Sequence, residues 1–337
     1  MNNSTLNCQV ILADLPPPPP PLSESFKSLY CVFMLLFSLT TLIGNLFVIV
    51  AVVMFRSLRK RIYAFVVVVA LADIGVAVFV MPFRLYEEWN SGWLLGKWFC
   101  LVVNMFDGIF CSASMSILCC LAVERYLAVC KPFLYTKLTP ALTAIVIFAC
   151  LGVIFFVWSF FLVNEFHIDG IEDLVACLSD GACPLLLNLS SALFLSILTF
   201  WTPSAVMLYC YWRIFVTANR HLRAIHSTTV SDTEKRTYAT FSKRAKAAKT
   251  LGIVIGCFFV CWLPFFIVLV GDVVEGHQWS IQLKLFVMWL GYLNSMINPF
   301  LYYIFSAEFK AAFKCIVKCS RSVRDSENVF STTVGLS

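Results

Sequence analysis

Seven long apolar stretches dominate this chain and leave few architectures open to it. They run at about 28–54, 64–87, 98–123, 141–163, 185–216, 247–271 and 281–305. Each reaches or exceeds the roughly 20 residues that a helix needs to cross about 30 Å of hydrocarbon. A segment in lipid must satisfy its own backbone, so these stretches are expected to be helices. The connections between them leave no room for a separate soluble domain. At 60% hydrophobic and 13% charged residues, with a mean hydropathy of +0.85, the 337-residue chain is far too apolar for an ordinary soluble protein. The expected fold is therefore an all-α membrane protein. A seven-transmembrane helix bundle over 28–305 follows a tail of 1–27 and precedes a short amphipathic helix at 306–317 and a tail at 318–337.

Basic residues in the short connections set the expected orientation. Arg56, Arg59, Lys60 and Arg61 follow span 1, Lys131 and Lys137 follow span 3, and nine Lys or Arg from Arg213 to Lys249 lie between spans 5 and 6. Lys310, Lys314, Lys318, Arg321 and Arg324 follow span 7. The other side holds only Lys27, Arg84, Lys97 and Lys284, against Glu87, Glu88, Glu165, Asp169, Glu172, Asp173, Asp180, Asp272 and Glu275. The N-terminus is expected outside the cell and the C-terminus inside. The net charge of +6 expresses this asymmetry, and no nucleic-acid surface is expected. Residues 1–25 have neither a basic leader nor an apolar core, so the first span itself would direct insertion.

The third span carries the chemistry that a bilayer helix ordinarily avoids. Asp107 lies near its outer end and the cluster Glu124-Arg125-Tyr126 at its inner end, roughly 27 Å away along a helix axis. An ionisable group at membrane depth costs at least about 2.5–3.5 kcal/mol, which makes it a candidate functional residue. Asp107 is expected to receive a cation from outside, with no Lys or Arg nearby on the spans, and Arg125 to face a partner inside. Near the middle of the membrane, Asn45 and Asp73 need polar partners, and Ser114, Asn294, Ser295 and Asn298 could supply them. Oxygen ligands converging on one carboxylate suit a sodium ion or a water network; no other cofactor or metal is expected.

Prolines mark candidate kinks in three later spans: Pro203, Pro264 and Pro299. Ser306 caps an amphipathic run from Ala307 to Lys314, read as a helix lying on the membrane lipid surface. Asn2 and Asn3 each open an Asn-x-Ser/Thr acceptor on the expected outer side. The six prolines from Pro16 to Pro21 predict an extended polyproline spacer. Cys8, Cys100, Cys177 and Cys183 fall on the same side, where two disulfides are expected and three pairings are open. Cys315 and Cys319, beside basic residues, are candidates for palmitoylation.

Gly44-Asn45, Leu71-Ala72-Asp73, Cys100, Glu124-Arg125-Tyr126, Trp158, Pro203, Phe258 with Cys261-Trp262-Leu263-Pro264, and Asn298-Pro299-Phe300-Leu301-Tyr302 place one signature on each span, in order. The chain thereby resembles the rhodopsin-like (class A) G-protein-coupled receptors over residues 28–317. Within that family it resembles the biogenic-amine receptors, with Asp107 where they keep the acid that pairs a ligand ammonium. Lys246 to Gly252, Cys183 to Asn188, and Asn294-Ser295 resemble the trace amine-associated receptors.

The resemblance implies a small cationic amine ligand in a site of Asp107, Cys111, Ser196, Thr199, Trp262, Phe265, Phe266, Trp289 and Tyr292. It implies a sodium or polar network of Asp73, Ser114, Asn294 and Asn298. Arg125, Phe133, Pro203, Tyr211, Phe258 and Tyr302 are implied as the switch that couples to a heterotrimeric G protein, of the stimulatory kind in the trace-amine group. It further implies the pairs Cys100–Cys183 and Cys8–Cys177. Arg244 stands where many amine receptors keep a Glu that latches Arg125, so basal signalling is expected. Glu308-Phe309 replaces that subgroup's Trp-Phe pair. The implied alternative is the same fold serving a classical monoamine such as serotonin, dopamine or histamine. An opsin would need a lysine where Tyr292 stands, and a metallohydrolase would need inward histidines, so no enzyme is expected.

Overall fold

The computed structural model describes residues 23–178, 181–225 and 232–317, together with Cys8, Ile11, Ala13 and Leu15 of the tail; the side chains of 221–251 fall outside that description. Asn2, Asn3, the proline run, Cys319, the tail 318–337 and the side chain of Arg244 therefore lie outside the described residues.

Among the described residues the chain forms seven long helical spans and no strand. Span 1 is Glu24–Met54, span 3 Lys97–Cys130, span 4 Pro140–Val163, span 6 Asp232–Val274 and span 7 Ile281–Phe305. Local signals start them. The side chains of Ser23, Thr139 and Ser280 accept from backbone N–H groups three residues on, and Pro140 occupies the first turn of span 4. Spans 1 and 4 bury little of themselves: 33% and 22% of their most apolar windows are inside the bundle, the rest facing outward as Leu, Val and Phe. Only a hydrocarbon solvent tolerates that surface, so this is a membrane protein.

Spans 2 and 5 depart from simple helices. Span 2 is broken into Arg61–Phe79 and Met81–Asn90 at Val80, whose φ of −124° and ψ of −64° leave the helical region. Pro82 explains the break, because its ring denies Val78 a hydrogen bond and crowds the preceding turn. Span 5 was expected from residue 185, but 181–188 is an irregular segment. Asn188 ends it by capping Leu189–Ser196 through an acceptor for Ser191 N at 2.9 Å. Ile197–Trp201 is then π-helical before Thr202–Ile225 resumes the α-helix. A widened turn just before Pro203 accommodates the missing N–H and turns Phe200 fully into the core.

Two disulfides tie one end of the bundle. Cys100 at the top of span 3 bonds Cys183 in the irregular segment, and Cys8 bonds Cys177, each pair with Cα atoms 5.5 Å apart. These are the pairs the resemblance implied. At the opposite end the short helix Ala307–Val317 turns away from span 7 after Ser306. Phe309 anchors it, with its ring centroid 5.4 Å from both Tyr63 and Tyr302. Glu308, which the subgroup comparison counted as a departure, ties this helix to span 2 by accepting from Lys60 Nζ at 2.5 Å and from the Tyr63 hydroxyl.

Candidate functional site

Asp107 sits at the disulfide end of span 3, with its side chain 15% exposed. Its two oxygens have different company. Oδ2 accepts from the Tyr292 hydroxyl at 2.6 Å and lies 3.5 Å from Arg84 Nη2. Oδ1 receives only the weak thiol donor of Cys111, at 3.4 Å. One oxygen is held in place and the other keeps its strong-acceptor capacity.

The nearby cation corrects the sequence expectation that no base approaches Asp107. From the sequence Arg84 was one of the few basic residues on the outer side. The break at Val80 instead turns it into the bundle, where it is buried. There Nη1 donates to the Cys183 carbonyl at 2.9 Å and lies 3.6 Å from Glu87 Oε2, while Nη2 donates to Asn104 Oδ1. Glu87 is equally occupied, its Oε1 accepting from Cys183 N at 2.6 Å. Arg84, Glu87, Asn104 and Cys183 thus form one charge-assisted unit behind Asp107. Sequence reading placed Arg84 within a turn of Glu87 and Glu88 but missed its approach to Asp107, and it passed over Asn104; Pro82 was the signal for the turn that brings Arg84 inward.

The aromatic residues fall into two groups. Trp289 packs edge-on against Tyr292 at 5.4 Å and against Phe37 of span 1 at 5.7 Å. Trp262, Phe265 and Phe266 pack on one another at 5.2–6.2 Å, and Phe266 stacks on Phe200 at 4.4 Å. Gly291 joins the two groups, since a Cβ there would meet the Trp262 ring at 2.8 Å. Phe200 also lies 6.0 Å from Phe258, so it links the expected ligand floor to the expected switch residue. Sequence reading passed over Phe200, because its inward placement depends on the π-helical turn.

Thr199, an expected ligand contact, falls in that same turn. Its hydroxyl donates to Leu195 O at 2.7 Å. Thr199 also borders an apolar groove of about 260 Å³ with Ser116, Cys150, Trp158 and Leu198, between spans 3, 4 and 5. Leu195 packs with Trp158 and Leu162 of span 4. Ser196 is buried, its hydroxyl without a hydrogen-bond partner among the described residues.

Midway along the bundle Asp73 accepts from Asn298 Nδ2 at 2.9 Å and from Ser114 at 3.4 Å. Asn45 donates to Ser295 O at 3.0 Å, and Asn294 is buried a turn from Asn298. Among the described residues the side-chain oxygens of Asn45 and Asn298 have no donor. Such unmatched oxygens beside a carboxylate fit a hard monovalent cation or a water chain.

At the far end Arg125 is folded onto its neighbour, with Nη2 2.5 Å from Glu124 Oε2, while Glu124 Oε1 lies 4.0 Å from Arg61. Arg61 also donates to Leu138 O and lies over the Tyr135 ring at 4.5 Å. The hydroxyls of Tyr211 and Tyr302 are buried with no partner among the described residues. Phe133 projects from the connection after span 3 with 87% of its surface exposed. Pro203 and the buried Phe258 complete the expected switch set.

Seven helical spans, an acid facing inward at one end and a paired arginine at the other define a transmembrane receptor bundle. Residues 44–302 match the 7 transmembrane receptor (rhodopsin family) model, and the chain belongs to that family. It is a G-protein-coupled receptor and not an enzyme. Among its relatives is the 5-hydroxytryptamine receptor 4 of Cavia porcellus, 35% identical over 318 residues, covering 88% of this chain and 82% of that one. The octopamine receptor beta-2R of Chilo suppressalis is 33% identical over 325 residues, 88% and 81% of the two chains. Trace amine-associated receptor 4 of Rattus norvegicus is 34% identical over 283 residues, 82% and 81%. The relatives thus include the trace-amine group that the sequence resembles, beside receptors named for other amines.

Proposed function

We propose that this chain is a plasma-membrane receptor for a protonated primary monoamine, with its N-terminus outside the cell, and that it activates a heterotrimeric G protein of the stimulatory kind. The observation that carries the reading is the asymmetry of Asp107: Oδ2 is held by Tyr292 and Arg84, while Oδ1 is left to a thiol. An ammonium at Oδ1 forms a charge-assisted hydrogen bond in a partly dehydrated site. Tyr292, Trp262, Phe265 and Phe266 supply aromatic faces, each worth about 0.5–2 kcal/mol to a cation. The three relatives reported above, named for 5-hydroxytryptamine, octopamine and trace amines, support the same ligand class.

Binding shifts a two-state equilibrium by its differential affinity for the two states. The packed series Trp262, Phe266, Phe200 and Phe258 is the element that the ligand would bias, with Pro203 and Pro264 as weak points in spans 5 and 6. At the inner end Arg125 leaves Glu124, and the unmatched hydroxyls of Tyr211 and Tyr302 gain partners as span 6 moves out. The G protein enters there, and Phe133 packs against it. Asp73, Ser114 and Asn298 would hold a sodium ion, which would supply a positive charge beside Asp73. Glycans on Asn2 or Asn3 and a lipid chain on Cys315 or Cys319 belong to the same proposal.

A classical monoamine is the second reading, favoured by the serotonin-receptor relative at 35% identity. A panel of volatile amines, serotonin, dopamine and histamine, applied to cells carrying a cAMP reporter, separates the two. We expect a volatile primary amine to give the most potent rise. A classical monoamine acting more potently would favour the second reading. No response to any amine, with the receptor at the surface, would overturn both.

A further inference from the structure

The proposed amine site holds an arginine that an amine site does not obviously need. Arg84 is buried, and the four partners described above use both of its terminal nitrogens. A permanent cation 3.5 Å from the carboxylate that awaits a cation has to be accounted for.

Charge counting accounts for it. Arg84 reaches two carboxylates, Asp107 and Glu87, so this cluster holds two negative charges and one positive, while the neighbouring Glu88 is set against Lys27 and Tyr30 of span 1. The sum is −1. The other buried acid at this end, Asp272, is matched separately by Lys284 Nζ at 2.7 Å and His277 Nδ1 at 3.1 Å. One positive charge therefore neutralises the site, and a second would be left unpaired in a weakly screening environment.

We infer that Arg84 is a specificity-determining residue that restricts the receptor to ligands carrying a single positive charge. It does so by occupying Glu87, the carboxylate that, among the described residues, shares Arg84 with Asp107. A second ammonium finds Glu87 Oε1 taken by the Cys183 N–H and Oε2 facing the guanidinium. It also meets repulsion from Arg84 itself. A monoamine avoids both, because Arg84 stands on Oδ2 and leaves Oδ1 to the ligand. This inference rests on the amine reading of the site.

The test uses the full-length receptor with pentylamine and its equal-length diamine cadaverine, scored by the ratio of their potencies at matched surface expression. The wild type is expected to favour pentylamine. Arg84→Gln exposes Glu87 and brings the site to −2, and it is expected to move the ratio at least about ten-fold toward cadaverine. The double variant Arg84→Gln with Glu87→Gln returns the sum to −1 and is expected to lose that gain. Arg84→Lys keeps the charge and is expected to keep the wild-type preference.

An unchanged ratio in Arg84→Gln at the cell surface would overturn the inference, as would a wild type that prefers cadaverine. If Arg84→Gln fails to reach the surface, Glu87→Gln decides. It neutralises the site and should weaken pentylamine about ten-fold, and unchanged potency refutes the charge count. Failure of the amine reading looks different: neither pentylamine nor any other amine moves the wild type, and both statements fall.

Discussion

Replacing Asp107 by Asn keeps the shape of the side chain and removes its charge. In the folded receptor the substitution leaves Tyr292 an amide oxygen to donate to, and Arg84 keeps Glu87, Asn104 and the Cys183 carbonyl. The bundle should therefore assemble, at a stability cost of about 1–3 kcal/mol for the weakened contacts around Arg84. Ligand binding loses more. The ammonium would meet a neutral amide at Oδ1, where the wild type offers a carboxylate with only a thiol on it. A hydrogen bond to a charged group contributes about 1.5–3 kcal/mol, and the summed charge of the site falls from −1 to zero. We expect a net loss of about 2–3 kcal/mol, or roughly 30- to 150-fold in affinity. Competition binding on membranes measures this without reliance on G-protein coupling, with an epitope-tag assay to match surface expression. Asp107→Glu restores the charge one methylene out of position and should recover part of the loss. Affinity within three-fold of wild type for Asp107→Asn, at equal expression, would refute the argument that this carboxylate holds the ammonium.

Other parts of the bundle make equally definite predictions. Gly108→Ala places a Cβ 2.4 Å from the Trp158 ring and disturbs its hydrogen bond to Ser112. It should cost about 2–4 kcal/mol in detergent-solubilised thermal unfolding, while Gly152→Ala, with open space around it, should be nearly neutral; equal melting would sink the packing argument. Phe309→Ala removes a buried ring between Tyr63 and Tyr302 and should free the terminal helix to hydrogen exchange. Glu308→Gln removes a partly exposed ion pair to Lys60 and leaves an amide oxygen for the Tyr63 hydroxyl, so it should change exchange little. Glu124→Gln removes the charge that holds Arg125 at 2.5 Å, so basal cAMP should rise above wild type in the absence of ligand. Unchanged basal signal would show that this pair does not stabilise the resting state.

The bundle was legible in the sequence because hydrophobic length is a one-dimensional property and a membrane permits few backbones. Seven stretches imply seven helices, and Ser, Thr and Pro mark where several begin. The acid of span 3 and the Glu124-Arg125 pair stood out for the same reason: charge is rare at that depth. The pairing of Cys100 with Cys183 and of Cys8 with Cys177 came from the resemblance, since spacing alone left three pairings open. What could not be read was the direction of side chains past an irregular turn. The sequence placed Arg84 a turn from Glu87 and Glu88 and away from Asp107, and the family resemblance alone placed Thr199 among the ligand contacts. The break at Val80 and the widened turn before Pro203 rotate what lies around them, and both are settled by packing against neighbouring spans. So the chain by itself determined that a carboxylate would wait in the membrane. Only the tertiary structure decided that it waits beside an arginine, because a guanidinium's company depends on which helices meet there and not on its place in the sequence.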